Sequence, residues 1–320
     1  VTKPIFTKEG AMKNVTTKIT TRGLTWLAVV SISVLSTLAQ AAPHGMYPTL
    51  ERQKLLRDLG IGANRAEKKL FYYGGPVLGN VEVYAIIWGA SVNSDTQKKI
   101  GDYYTAVVNS THMDWLSEYN TSVKGIDGRD GTNQAIGRGK FMGQIVITPT
   151  HTASDLEDKD IQAELDLQIA NGVLPKPTAN TLFMTYFPPG VSIKIDGQGS
   201  CSAFCAYHEG FESKTNGNVF YGVMPDMGGA CSFGCGFNSQ FDTTTIVSSH
   251  EFIEAVTDPF PTPKDKPVFP QAWNTTDGNE IGDICAGTQT NLTTQGMTYM
   301  LQQEFDNKTA SCAAGPYQSP

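Results

Sequence analysis

An α/β fold, a mixed sheet covered by helices, is predicted by three observations. Strand-like apolar runs and helical segments alternate from residue 81 to residue 187. A long apolar helix ending at Asp258-Pro259 carries the pattern His250-Glu251-x-x-Glu254 and is the expected active-site helix. All six cysteines lie beyond residue 200, in a Gly-rich part whose texture differs from what precedes it.

Residues 1–41 read as an N-terminal extension and secretory signal peptide. Lys13, Lys18 and Arg22 follow Met12 and precede an apolar run over 24–38, and Ala39-Gln40-Ala41 supplies the small-x-small cleavage pattern. That run is shorter than the ~20 residues a spanning helix requires, so no transmembrane segment is expected after cleavage. A charged, moderately helical arm over 42–70 leads into a single domain over 71–320. The turn at Gly74-Gly75-Pro76 opens that domain.

Residues 81–88 form a nearly continuous apolar strand, as expected at the centre of a sheet. Asp95 starts a helix expected to run to about Tyr119, with Ile100, Tyr103, Tyr104, Val107 and Val108 inward. A second strand follows at 141–148. Ser154 and Glu157 form a capping box for a helix reaching Ala170, where Gly172 stops it. Residues 181–187 and 219–224 are further strands. Asp242 is the expected cap of the key helix over 243–257, and the residue before Pro259 ends it. A strand-rich stretch around 297–303 closes the chain.

The net charge of −7, with no basic cluster, argues against a nucleic-acid surface. An even number of cysteines in an exported chain implies disulfides. Cys285 with Cys312 is the expected pair. Cys201, Cys205, Cys231 and Cys235 form two C-x-x-x-C pairs, expected as disulfides with a four-cysteine zinc site as the alternative.

Residues four apart on a helix share a face, so His250 and Glu254 project together while Glu251 points about 100° away. This is the zinc-protease layout H-E-x-x-H with glutamate in place of the second histidine. Catalytic zinc takes three protein ligands and keeps one position for water. His250, Glu254 and Glu280 are the expected ligands, and Glu251 is the base that removes a proton from the attacking water. A second carboxylate in a ligand set is a hard donor, which leaves Mn²⁺ or Ca²⁺ open beside Zn²⁺. Asp283 or Asp258 is expected to orient His250 from behind. His208 is a candidate ligand or a donor to the oxyanion of a tetrahedral intermediate. The bland alternative is an i,i+4 pair on a solvated helix face, worth a few tenths of a kcal/mol.

In these residues the chain resembles the phosphate-induced protein 1 (EXORDIUM) family of secreted proteins, known in plants and with bacterial relatives. The matching blocks are Tyr73-Gly74-Gly75-Pro76-Val77-Leu78, Val83-Tyr84-Ala85-Ile86-Ile87-Trp88-Gly89, residues 201–208, 231–235 and 249–259, and Glu280-Ile281-Gly282-Asp283-Ile284-Cys285. Residues 90–140 match nothing in it. The resemblance implies a zincin-like architecture and a secreted, cell-wall-associated setting, extracellular or periplasmic. It implies no settled activity.

The expected function is a secreted zinc-dependent hydrolase, peptidase-like, with a peptide or protein substrate. The alternative is a non-catalytic cell-surface protein whose H-E-x-x-E site is structural, and a surface or cell-wall glycan is the other candidate partner.

Overall fold

The computed structural model describes residues 46–58, 68–236, 238–261, 266–294 and 296–315. The described residues all belong to one compact unit, residues 41–320. The expected signal peptide lies outside them. Among the described residues no helix is long and apolar enough to cross a membrane.

Six strands make the central sheet: β1 (Met46–Pro48), β2 (Glu82–Trp88), β3 (Lys140–Ile147), β4 (Thr181–Tyr186), β5 (Phe204–Ser213) and β6 (Gly217–Met224). Their order is β1-β5-β6-β4-β2-β3. β3, β2, β4 and β6 run parallel, whereas β5 pairs antiparallel with both β6 and β1. The sheet is mixed and flanked by helices, as alternation in the sequence predicts.

The central strands β2, β4 and β6 are largely buried on both sides because their period-two faces meet different layers, whereas the edge strand β3 alternates exposed and half-buried. Val83, Ala85 and Ile87 join one core with helix α2 (Ser94–Val107) and the long helix α5 (Gln240–Thr257). Ile86 and Trp88 join another with Ile161, Leu165 and Ile169 of helix α3 (Asp158–Ala170). Two further helices are α1 (Leu50–Asp58) and the short α4 (Cys231–Gly234). Four C-terminal strands, β7 (Gln289–Thr294), β8 (Met297–Gln302), β9 (Glu304–Asp306) and β10 (Ser311–Ala313), form two antiparallel pairs.

Three helix boundaries differ from expectation. The helix expected over 95–119 is capped by Asn93 and stops at Val107, where Ser110 Oγ donates to the Val107 carbonyl and accepts from His112 N–H. That side-chain competition ends α2 and starts a new short turn. Glu157 and Asp160, rather than Ser154, cap α3, because residues 155–157 are still strand and Glu157 N–H reaches the Asp160 carboxylate at 3.0 Å. Ser239, not Asp242, caps α5, and its Oγ accepts from Asp242 N–H at 3.1 Å. The C-terminal boundary of α5, Thr257, falls where Pro259 demands it.

All six cysteines are paired: Cys201–Cys231, Cys205–Cys235 and Cys285–Cys312. The last is the expected pair, and the first two remove the four-cysteine zinc alternative because no thiolate is left to ligate. Cys205–Cys235 ties the start of β5 to the segment leading into α5, and Cys285–Cys312 ties the turn at 283–285 to β10. Replacing Cys285 and Cys312 by serine is expected to lower unfolding stability by about 3–4 kcal/mol, the loop-closure value for a loop of this size. A urea titration of the double variant checks this, and an unchanged midpoint would refute it.

Candidate metal centre

The polar face of α5 is built around His250, Glu251 and Glu254, all fully buried. Ile246, Ile253 and Val256 place the rest of the helix in the core, so these side chains are carried inward. A solvated-face ion pair is therefore not what the sequence builds. β5 faces this helix and supplies His208, whose side chain is also fully buried. The segment after the Asn274 loop supplies Glu280 and Asp283, and the strands β8 and β9 supply Gln302 and Glu304.

Glu254 is the hub. Its Oε1 accepts backbone N–H groups from Gly282 at 3.1 Å and Asp283 at 3.0 Å. Its Oε2 lies 3.2 Å from His250 Nε2 and 3.7 Å from His208 Nδ1. Gly282 is required here by close approach: a Cβ at that position would collide with the His250 ring and the Glu254 carboxylate. Glu280 Oε1 lies 3.6 Å from His208 Nε2. Two sets of side chains, His208/Glu254/Glu280 and His250/Glu254/Asp283, have ligand atoms close enough to surround a cation, and both use Glu254.

Glu251 is held differently. Its Oε1 accepts the backbone N–H of Tyr47 at 2.8 Å, and its Oε2 lies 3.2 Å from His208 Nδ1. His208 Nε2 lies 3.0 Å from the Asp258 carbonyl, so it carries the proton and Nδ1 presents a lone pair toward Glu251 and Glu254. A lone pair facing carboxylate oxygens is repulsive unless a proton or a cation stands between them.

The electrostatics follow from burial. Burial drives Glu254 up to about 8, against the opposing backbone donors. It also pushes Glu251 well above the usual range, helped by the neighbouring Glu254. Glu280 is raised well above its usual range by burial and by Glu254, Asp258, Asp283 and Glu251 together. Burial and Glu254 also raise Asp283, although this residue sits at the rim and keeps part of its surface exposed. Burial lowers His208 to about 3 and His250 to about 4. Among the described residues the ion-pair partners of Glu251, Glu254 and Glu280 are histidines alone.

Of the two expected orienting residues, Asp283 lies in the cluster with His250 and Glu254, and Asp258 lies on the far side, at His208. Asp283 accepts the Glu280 N–H at 3.0 Å, which fixes the backbone of the segment. Asp258 accepts from Ala272 N–H at 2.9 Å and from Asn274, while its carbonyl orients His208. The neighbour of His250 Nδ1 is Gln302, whose Nε2 lies 2.8 Å away. Gln302 Nε2 also faces the Gly282 carbonyl at 2.9 Å and the Glu304 carboxylate at 3.2 Å, which fixes the amide with its nitrogen inward, so His250 Nδ1 accepts from it. Sequence reasoning misses Gln302, Glu304 and Tyr47. Gln302 ends β8 and Glu304 begins β9, neither within a motif, and Tyr47 precedes the expected domain boundary.

Compared with known proteins, the chain matches no family model, no curated protein and no solved structure.

Proposed function

We propose that the protein is an exported metal-dependent hydrolase, zinc-dependent and peptidase-like, whose centre is organised on α5. The observation that carries this is a set of fully buried polar atoms without hydrogen-bond partners: His250 Nε2, Glu254 Oε2 and both Glu280 oxygens. Buried carboxylates left unpaired are costly, and a divalent cation compensates them where hydrogen bonds do not. The nitrogen and oxygen donors fit Zn²⁺, and the carboxylate-rich set also fits Mn²⁺. Glu254 is the ligand common to both sets, completed by His208 and Glu280 on one side and by His250 and Asp283 on the other; the expected trio His250, Glu254 and Glu280 falls within neither set.

A bound zinc supplies Lewis-acid polarisation of a carbonyl and lowers the pKa of a water. With a cation bound, Glu251 would take up a proton at Oε2, the oxygen facing His208, the positive charge offsetting the burial and the neighbouring Glu254 that otherwise keep this carboxyl protonated. His208, neutral and with its Nε2–H committed to the Asp258 carbonyl, serves as a ligand or acceptor rather than as an oxyanion donor. The backbone N–H groups of Gly282 and Asp283 hold Glu254 in place by its other oxygen. A helix bearing H-E-x-x-E beside an antiparallel strand supports a zincin-like reading, and the resemblance of the sequence blocks to the phosphate-induced protein 1 family supports an exported setting. The three disulfides agree with it.

Metal content of the folded, oxidised protein tests the reading. About one zinc per chain is expected, lost on His250→Ala. A metal-free chain after zinc is supplied would refute it.

One observation favours a second reading, a non-catalytic surface protein with a structural metal. The side chains of Glu251, Glu254, Glu280 and both histidines have no exposed surface. A substrate reaches them only if something moves.

A further inference from the structure

The N-terminal segment packs directly against the centre. β1 lies at the sheet edge, antiparallel to β5, with Met46 opposite Tyr207, Tyr47 opposite Ala206 and Pro48 opposite Phe204. The remaining five strands are mutually paired without it. Tyr47 N–H donates to Glu251 Oε1 at 2.8 Å, so a strand backbone amide rests on the carboxylate assigned as the base. The Tyr47 ring stands edge-on to His250 with centroids 5.0 Å apart. Across from it, Ala206 leaves room for a large side chain. Beyond the strand the segment is held by polar contacts: Thr49 N–H to the Ala203 carbonyl at 3.4 Å and Arg52 Nη1 to Gln198 at 2.9 Å. Gln53 donates back to the Pro48 carbonyl within the segment itself. None of the three disulfides includes a residue of this segment.

We propose that the edge of β5 beside α5 is a docking site for a polypeptide in extended conformation, and that β1 occupies it in cis. An incoming segment adds as an antiparallel strand on β5, sets a backbone N–H on Glu251 and lays an aromatic side chain against His250. Strand addition of this kind draws affinity from main-chain hydrogen bonds and selectivity from alternate side chains. A segment tethered in the same chain competes at an effective concentration on the order of millimolar, so the intact protein is the closed form. The purpose of the docking rests on the hydrolase reading, but the docking itself does not.

The test uses the full-length oxidised chain and a fluorescent synthetic peptide reproducing residues 46–58. Tyr47→Pro in the protein removes the N–H that reaches Glu251 and unseats β1. The labelled peptide is expected to bind this variant at least about tenfold more tightly than the unaltered chain, by anisotropy. The same peptide carrying Tyr47→Pro is expected not to compete. Equal binding to both chains, or none to the folded variant, would overturn the proposal. Should the variant fail to fold, the unaltered chain is folded first and then cut at a protease site inserted between Asp58 and Lys68. Exchange of its own segment for excess labelled peptide supports the proposal, and retention without exchange overturns it. Zinc content of the same samples separates the two readings. Exchange without zinc keeps the docking site and sinks the hydrolase, whereas zinc without exchange does the reverse.

Discussion

Glu251→Gln is expected to reduce hydrolysis by about a hundred- to ten-thousand-fold, the span for loss of a positioned general base. Zinc content should stay at the level of the unaltered chain, because Glu251 is not in the proposed ligand set. The amide keeps the shape of the carboxylate and still accepts the Tyr47 N–H. Folding should therefore be preserved, and removing a buried acid that burial and Glu254 already disfavour should not lower thermal stability. The check is turnover of a peptide library by the released form, with metal analysis alongside. Turnover unchanged by Glu251→Gln would reject Glu251 as the base and leave the structural-metal reading.

Chelation is expected to have the largest effect on stability, and the effect depends on pH. A ligand present at a thousand times its Kd stabilises by about 4 kcal/mol, which in a domain of this size is roughly 10 °C in Tm. In the metal-free chain Glu254 is held up at about 8 and Asp258 at about 7, against ordinary values of 4.5 and 3.8. Below the ordinary values both states are protonated, and the stabilisation is fully present. As pH rises toward about 8 the unfolded chain has released these protons while the folded chain retains them. The unfolded state thus binds fewer protons and stability falls. The metal-free protein should be more stable at about pH 5 than at about pH 8, with the loss running through the interval between. The loaded protein should show the opposite trend in metal affinity, because binding displaces the same protons. Calorimetric scans with and without chelator at about pH 5 and about pH 8 read both. A chelator-insensitive Tm at the higher pH would contradict the metal centre.

Much of the parallel sheet was legible because period-two apolar runs bounded by turn residues have one physical solution. α5 was legible because its inward residues and the stop signal at Asp258-Pro259 are local. β5 was not, although it carries His208. The strand runs unbroken through Gly210, where a Cβ would strike the Pro259 carbonyl and the Phe260 ring, so the glycine that breaks the local apolar pattern answers a long-range demand. The break after Val107 was missed for a different reason: Ser110 bonds locally to Val107 and His112, a signal outweighed by apolar residues that go on to Tyr119. In the site, His250, Glu251 and Glu254 follow from helical spacing. Glu280 follows from the proximity of its acidic segment to that helix in the chain. Gln302 and Tyr47 reach the centre from 52 and 204 residues away respectively, through tertiary pairing alone.

The disulfides have a consequence beyond stability. Cys205 lies three residues before His208 on β5, and Cys285 lies two residues after Asp283. Each half of the centre that does not come from α5 is thus fastened by its own sulfur bond. Such bonds persist where thiols are oxidised and are rare where glutathione keeps them reduced. Where thiols stay reduced, neither fastening forms, so the redox state of the surroundings decides how firmly the two segments are held against α5.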